Sequence, residues 1–208
     1  RQPPEALRER VATYFDPLPF WYEPLEQACT DTDAFPLAAV TQRPMAMYHS
    51  WDSQNAWLRQ IHSHNYLHVN PVTAMAAGVS DGGWCWVESR WGRVRCMARY
   101  SDAVEPGTVW TWNAIGKADG AWQLAPGADE SRKGFLLNHL ISEELPMGQK
   151  TISNSDPVTG QAGWYDVRVR IRPAAPDEPQ ESHPRAAAVA SVPGVLGQAV
   201  TAFFRSRK

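Results

Sequence analysis

Residues 81–100, DGGWCWVESRWGRVRCMARY, constrain the fold more than any other stretch of the chain. Gly82-Gly83 leads into one arm, WCWVES, and Arg90-Trp91-Gly92 turns it into a second, RVRCMARY. Apolar and polar residues alternate on both arms. Alternation with period two marks strands with one buried and one solvated face, and two such arms joined by a short turn make a hairpin. A lone hairpin cannot bury its apolar face, so other strands must close over it. The chain offers FPLAAVTQ (35–42), LHVNP (67–71), TVWTWNAIG (108–116) and GWYDVRVRIRP (163–173). In the last, Val167, Val169 and Ile171 alternate with Arg168, Arg170 and Arg172.

Short helical segments separate these strands. PVTAMAAG (71–78) has Pro in its first turn and Gly78 as a stop, the usual asymmetry of helix ends. WDSQNAWLRQI (51–61) sets Trp57, Leu58 and Ile61 at helical spacing behind Asp52 or Ser53 as a cap. SRKGFLLNHLISEEL (131–145) reads as a helix or an extended turn. Strands separated by helices of one to three turns predict a mainly β fold with short helices, closed as a small barrel in preference to a sandwich. Before the barrel, residues 5–15 predict an amphipathic helix with Leu7, Val11 and Tyr14 or Phe15 on one side, followed by a proline-broken extended run. We assign 1–35 to the end of a preceding domain and a linker, and 36–172 to the barrel. Residues 173–208 are a Pro/Ala-rich tail expected to be disordered, with a terminal amphipathic helix expected at 192–208.

Composition narrows the function classes. A net charge of −2 gives no electrostatic footprint for nucleic acid. No apolar run approaches the length of a membrane span. Ten Trp point to a Trp-rich core or to a face that meets another protein or a flat ligand. The three cysteines, Cys29, Cys85 and Cys96, have no regular spacing. They read as reduced, mostly buried thiols, which favours a cytoplasmic setting. The opening RQPPEALRER, without an initiator Met, is expected of a piece of a longer polypeptide.

Three stretches in order carry a family resemblance. The first is PLAAVTQRPMAMYHSWDSQNAWL (36–58), a strand, a T-x-R turn and a polar run into a helix. The second is VNPVTAMAAGVSDGGWCWVESRWGRV (69–94), an N-P-x-x-A-x-x-x-G-[IV]-x-D-G block followed by a V-x-S-x-x-G hairpin. The third is ISNSDPVTGQAGWYDVRVRI (152–171), an Asn, a D-P-x-T-G turn and a closing strand. Together they resemble the C-terminal molybdopterin-dinucleotide-binding domain of dimethyl-sulfoxide-reductase-family catalytic subunits. TQRPM, WTWNAIGK and GFLLNHLISEELP are most similar to subunits of membrane-anchored complexes that oxidise sulfite, or to relatives acting on acyl-CoA thioesters. The resemblance implies a six-stranded double-psi β-barrel holding a bis(molybdopterin guanine dinucleotide) that carries molybdenum, or tungsten.

Such a ligand needs donors for phosphate oxygens and mixed donor–acceptor edges for guanine and pterin. The resemblance places polar contacts at Thr41, Gln42 and Arg43, where Arg43 can offer a planar fork to an oxyanion. It continues through Met47, His49, Ser50, Gln54 and Asn55, where a helix N-terminus favours negative groups. Asn70 stands either as a helix cap or beside a guanosine. Asn113, Lys117, Asn138, Asn154 and Gln161 complete the set; an amide donates and accepts at once, and Asn154 and Asp156 are also ordinary turn residues. The family's Gly-Asp is Gly82-Gly83 here, one carboxylate fewer.

The family also implies what lies elsewhere. The protein ligand to molybdenum and the cysteine-rich 4Fe-4S motif belong to upstream domains, so this segment alone is expected to be inactive, with no catalytic residue and no metal ligand of its own. Expected partners are those upstream domains, a membrane anchor subunit, and an iron–sulfur electron-transfer subunit. Two other readings compete. One is a non-catalytic double-psi barrel that binds protein or peptide partners, since fold does not fix function. The other is a zinc site built on His62, His64 and His68, which lacks a fourth ligand.

Overall fold

The computed structural model describes residues 2–15, 18–19, 21, 23–48, 51–53, 55–113, 115, 125, 128–129, 133–156, 159–163, 166–175 and 178. Among the described residues four short helices are present: α1 (Glu5–Tyr14), α2 (Leu25–Cys29), α3 (Leu58–Ile61) and α4 (Pro71–Ala76). The strands are β1 (Leu37–Gln42), β2 (Tyr66–Val69), β3 (Trp84–Glu88), β4 (Arg93–Tyr100), β5 (Thr108–Trp112), β6 (Glu144–Met147), β7 (Lys150–Ser153) and β8 (Val167–Pro173). A 3-10 turn covers Leu137–Leu140.

Six strands close a barrel in the order β1-β5-β2-β4-β3-β8. The pairs β1·β5 and β2·β4 are parallel, and the other four are antiparallel. The inward residues are those that alternation selects: Leu37 and Ala39, Leu67 and Val69, Cys85 and Val87, Val94, Cys96 and Ala98, Val109, and Val167, Val169 and Ile171. Nearly all are small or β-branched, as a narrow closed core requires. Each Val or Leu wholly removed from water contributes roughly 1.5–3 kcal/mol.

The predicted hairpin is present, with Cys85 opposite Cys96. Its turn is locked by Ser89, whose hydroxyl accepts from the N–H groups of Trp91 (3.0 Å) and Gly92 (3.3 Å) and donates to the Leu140 carbonyl (2.8 Å). One hydroxyl thus ties the hairpin to the 3-10 turn.

Two expectations need correction. The helix over 51–61 is reduced to α3, with Trp57 79% and Ile61 65% exposed. The Asp52 carboxylate accepts from Tyr48 N–H, and the Asn55 amide oxygen accepts from Trp57 and Leu58 N–H; these side chains draw the backbone into turns in competition with helix. Within 131–145 the described residues form the 3-10 turn and then β6, which pairs with β7 around Gly148 at φ 61°. The helix expected over 5–15 is present as α1, with Leu7 and Tyr14 exposed and Val11 half-buried. The tail beyond 178, including 192–208, lies outside the described residues.

Candidate functional site

The C-terminal ends of the parallel strands β1 and β5 and the N-terminal end of β2 meet at one end of the barrel. Thr41 lies opposite Thr111 and Gln42 opposite Trp112, and Asn113 continues the ladder by donating its N–H to the Gln42 carbonyl at 2.8 Å. Thr41 and Asn113 are buried, whereas Gln42 and Arg43 are exposed just beyond them. A buried hydroxyl and a buried amide therefore adjoin an exposed guanidinium.

Polar satisfaction distinguishes this end. Buried polar atoms in folded proteins nearly always have hydrogen-bond partners, and an exception calls for an explanation. Among the described residues four buried side-chain atoms have none: Thr41 Oγ1, Asn113 Oδ1, Asn154 Oδ1 and Arg95 Nε. The first three belong to residues the sequence singled out. Thr111, the register partner of Thr41, is the contrast: its hydroxyl donates to Asn65 Oδ1 at 2.8 Å. Arg95 is otherwise engaged, donating to the Glu178 and Ala175 carbonyls over the Trp84 ring.

Asn154 stands in the loop between β7 and β8. It accepts from Gly163 N–H through its carbonyl, and its side chain donates to the Ser142 carbonyl at 3.1 Å. A Cβ at Gly163 would lie 2.9 Å from Asn154 Oδ1, so glycine is what lets this loop close on the amide. Gln161 is exposed on the same loop, whose turn is held by Asp156 accepting from the N–H and hydroxyl of Thr159.

The remaining candidates separate. Asn70 lies at the far end of β2, opposite from Thr41, and caps α4: its Oδ1 accepts from Val72 N–H and its Nδ2 donates to the Val104 carbonyl. Met47 is buried and Asn55 is exposed. Asn138 is exposed on the 3-10 turn. His49, Ser50, Gln54 and Lys117 lie outside the described residues. The three histidines join an aromatic ladder on the outside of β2 and β5. His68 stacks on Trp110 (4.0 Å, 8°), His62 meets Trp112 edge-on (5.4 Å), and His64 stacks on Tyr66 (5.6 Å). Burial, then the Arg99 charge, pushes the His68 imidazole below its usual pKa. Among the described residues no three His, Cys, Asp or Glu side chains are grouped to hold a metal.

The sequence reading missed Asn65, which is 3% exposed. Its Nδ2 donates to the carbonyls of Trp112 (2.9 Å) and Phe135 (3.2 Å), its Oδ1 accepts from Thr111, and its N–H donates to the Lys133 carbonyl (2.7 Å). It also missed Glu26, whose buried carboxylate accepts from Trp91 Nε1 (2.9 Å) and Thr30 (3.0 Å) while its N–H donates to Asp166 (3.1 Å). These contacts dock α2 on the hairpin tip, and Arg90 donates to the Cys29 carbonyl beside them. Burial raises the Glu26 carboxyl pKa against the two hydrogen bonds that lower it.

The profile of the molydopterin dinucleotide binding domain matches residues 37–162, from β1 through the loop holding Asn154. The chain belongs to this family. As such a domain it is 67% identical, over 93% of its length, to a subunit of the sulfite dehydrogenase of Allochromatium vinosum, of which it covers 20%. It is 31% identical over 58% of its length to the trimethylamine-N-oxide reductase of Haemophilus influenzae, covering 14% of it. Against the solved acetylene hydratase from Pelobacter acetylenicus, this dinucleotide-binding domain superposes over 78% of its length with a TM-score of 0.58 at 21% identity, covering 22% of that chain. The fold is the family's six-stranded barrel. The chain thus spans about a fifth of the length of its sulfite dehydrogenase relative. The cofactor that goes with this dinucleotide-binding domain is the molybdenum-bearing bis(molybdopterin guanine dinucleotide) of the dimethyl sulfoxide reductase family.

The residues present suit such a group. Thr41 Oγ1, Asn113 Oδ1 and Asn154 Oδ1 are buried without partners, so a bound molecule rich in N–H, NH2 and hydroxyl groups would meet acceptors already stripped of water. The exposed Arg43 would supply a donor for an oxyanion.

Proposed function

We propose that this domain holds the dinucleotide cofactor within the catalytic subunit of a molybdenum enzyme that oxidises sulfite to sulfate. The reaction consumes water and yields two electrons and two protons. The observation that supports the cofactor role is the set of three orphaned acceptors on candidate residues. The substrate class rests on the 67% identity to a sulfite dehydrogenase subunit. When bound, the cofactor supplies the two-electron chemistry. The protein's part is to bind and orient it.

In this reading Thr41 and Asn113 take donors from the cofactor's polar edge, Gln42 and Arg43 steady its oxyanions, and Asn154 and Gln161 border it from the β7–β8 loop. Met47, His49, Ser50, Gln54, Asn55, Lys117 and Asn138 remain proposed contacts, and so does Asn70 at the opposite end. None of them performs chemistry, and the domain alone turns over no substrate. The upstream domains, an iron–sulfur subunit that takes the electrons and a membrane anchor are the proposed partners. The setting is cytoplasmic, with the membrane reached through the anchor; no described helix is long and apolar enough to cross a membrane.

Hydrogen exchange on the full-length subunit, with and without cofactor, tests this. Peptides over residues 41–43, 113 and 154 should be protected in the loaded protein. Equal exchange in both states would remove these residues from the site.

A further inference from the structure

Asn65 uses its whole side chain. Two donors and one acceptor go to three different backbone or side-chain atoms, at 2.9, 3.2 and 2.8 Å, and its own N–H takes a fourth partner at 133. Two of these, Thr111 and the Trp112 carbonyl, are the last residues of β5. The next residue, Asn113, carries an orphaned acceptor and is hydrogen-bonded to the end of β1. The other two, the Lys133 and Phe135 carbonyls, open the segment that runs through the buried Phe135 and Leu137 into the 3-10 turn bearing Asn138. One buried amide thus bridges the two chain segments that bring candidate contacts to this end of the barrel. Secondary structure does not require the bridge: among the described residues 133–135 pair with no strand, and Asn65 precedes β2.

We propose that Asn65 is a positioning residue for the dinucleotide: through Thr111 and Trp112 it fixes where Asn113, and with it Thr41, meet the cofactor, and through Phe135 it sets the spacing to the 3-10 turn. This rests on the cofactor reading above. A buried amide with every atom engaged has a single orientation, and a site held by such a support keeps its geometry before the ligand arrives. In Asn65→Asp the acceptor for Thr111 remains, but a carboxylate oxygen faces the Trp112 and Phe135 carbonyls. Thr111→Val removes one bond at constant shape, and Thr111→Ser restores it.

The test uses the full-length subunit with its cofactor. Release of guanine nucleotide is followed in mild denaturant for wild type, Asn65→Asp, Thr111→Val and Thr111→Ser. The comparison is Val169→Ala, a core variant on β8 that lowers the melting temperature without touching this bridge. Asn65→Asp should release nucleotide about tenfold faster than a core variant of equal melting temperature, as two lost hydrogen bonds of ordinary strength imply. Thr111→Val should show a smaller excess that Thr111→Ser abolishes. Should Asn65→Asp not fold, the Thr111 pair carries the test. Release rates that fall on the same line against melting temperature as Val169→Ala would make Asn65 merely structural and overturn the proposal. A wild-type subunit that contains no guanine nucleotide would overturn the cofactor reading itself, and the proposal with it.

Discussion

Replacing Thr41 with Val should stabilise the empty domain and weaken its hold on the cofactor. Thr41 is 3% exposed and its hydroxyl has no partner. The substitution therefore breaks no hydrogen bond within the protein, and Val keeps the shape and suits a strand. A buried unsatisfied polar group costs about 1–3 kcal/mol. Taking the lower half of that range, because a hydroxyl can turn toward weak acceptors, the gain is about 1–2 kcal/mol. In a chain of 208 residues that raises the melting temperature by roughly 2–8 °C. The same hydroxyl would meet the cofactor, and one neutral hydrogen bond is worth about 0.5–1.5 kcal/mol, or up to roughly tenfold in affinity. Thermal unfolding of the isolated domain, followed by circular dichroism, gives the first quantity, and nucleotide release from the full-length subunit gives the second. A melting temperature that falls by several degrees would refute the reasoning, because it would mean that Thr41 already has a partner and that its hydroxyl is not held free for a ligand. Thr111→Val is the internal control: there the hydroxyl is bonded, and the same change should destabilise.

Other outcomes follow from the barrel itself. Ser89→Ala removes the hydroxyl that serves Trp91, Gly92 and Leu140 and should cost about 1–3 kcal/mol in urea unfolding. Glu88 and Glu26 should bend the pH dependence of stability in opposite directions. Burial would raise the Glu88 carboxyl, but the guanidinium groups of Arg170 (2.8 Å) and Arg172 (3.0 Å) overcome it and hold the pKa below 4.5. Its stabilisation is present above that value and lost as pH falls through the folded pKa, so Glu88→Gln should flatten the acid limb. Glu26 is raised, so its contribution is full below 4.5 and lost as pH rises through the folded pKa; Glu26→Gln should gain stability relative to wild type as pH increases. In the native domain a thiol reagent should modify Cys29 first. Cys85 and Cys96 are fully buried with sulfurs 3.6 Å apart, and burial holds the Cys96 thiol far above its usual pKa. Equal reactivity of all three would mean that the barrel opens readily.

The parts of the fold that were legible in the sequence are those governed by local pattern. An apolar run ending at a polar turn located β1, and alternation located the β3–β4 hairpin and β8. Asn70, Pro71 and Gly78 fixed both ends of α4 through cap, first turn and a left-handed stop at φ 70°. Three of the four orphaned buried atoms among the described residues fall on Thr41, Asn113 and Asn154, which the motifs single out. Pairing was not legible. That β1 runs parallel to β5, and β2 to β4, depends on crossovers that no local pattern encodes. The β6–β7 hairpin was hidden because both arms are mostly exposed and lack apolar alternation. Asn65 was overlooked in a run whose histidines drew attention as metal ligands. Nothing local distinguishes a buried bridging amide from a turn residue; only the return of residues 133–135 to its side gives it a role. The 51–61 helix failed for the opposite reason: the apolar spacing was there, but Asp52 and Asn55 bind the backbone first.

The central claim, that this barrel holds a molybdenum-bearing dinucleotide cofactor, is tested most directly by elemental and nucleotide analysis of the natural full-length protein. Acid treatment of the folded protein should release about two guanine nucleotides for each molybdenum atom, as a bis-dinucleotide cofactor requires. Folded protein with neither molybdenum nor tungsten and no releasable guanine nucleotide would contradict the account and leave the barrel as a binding module for other partners.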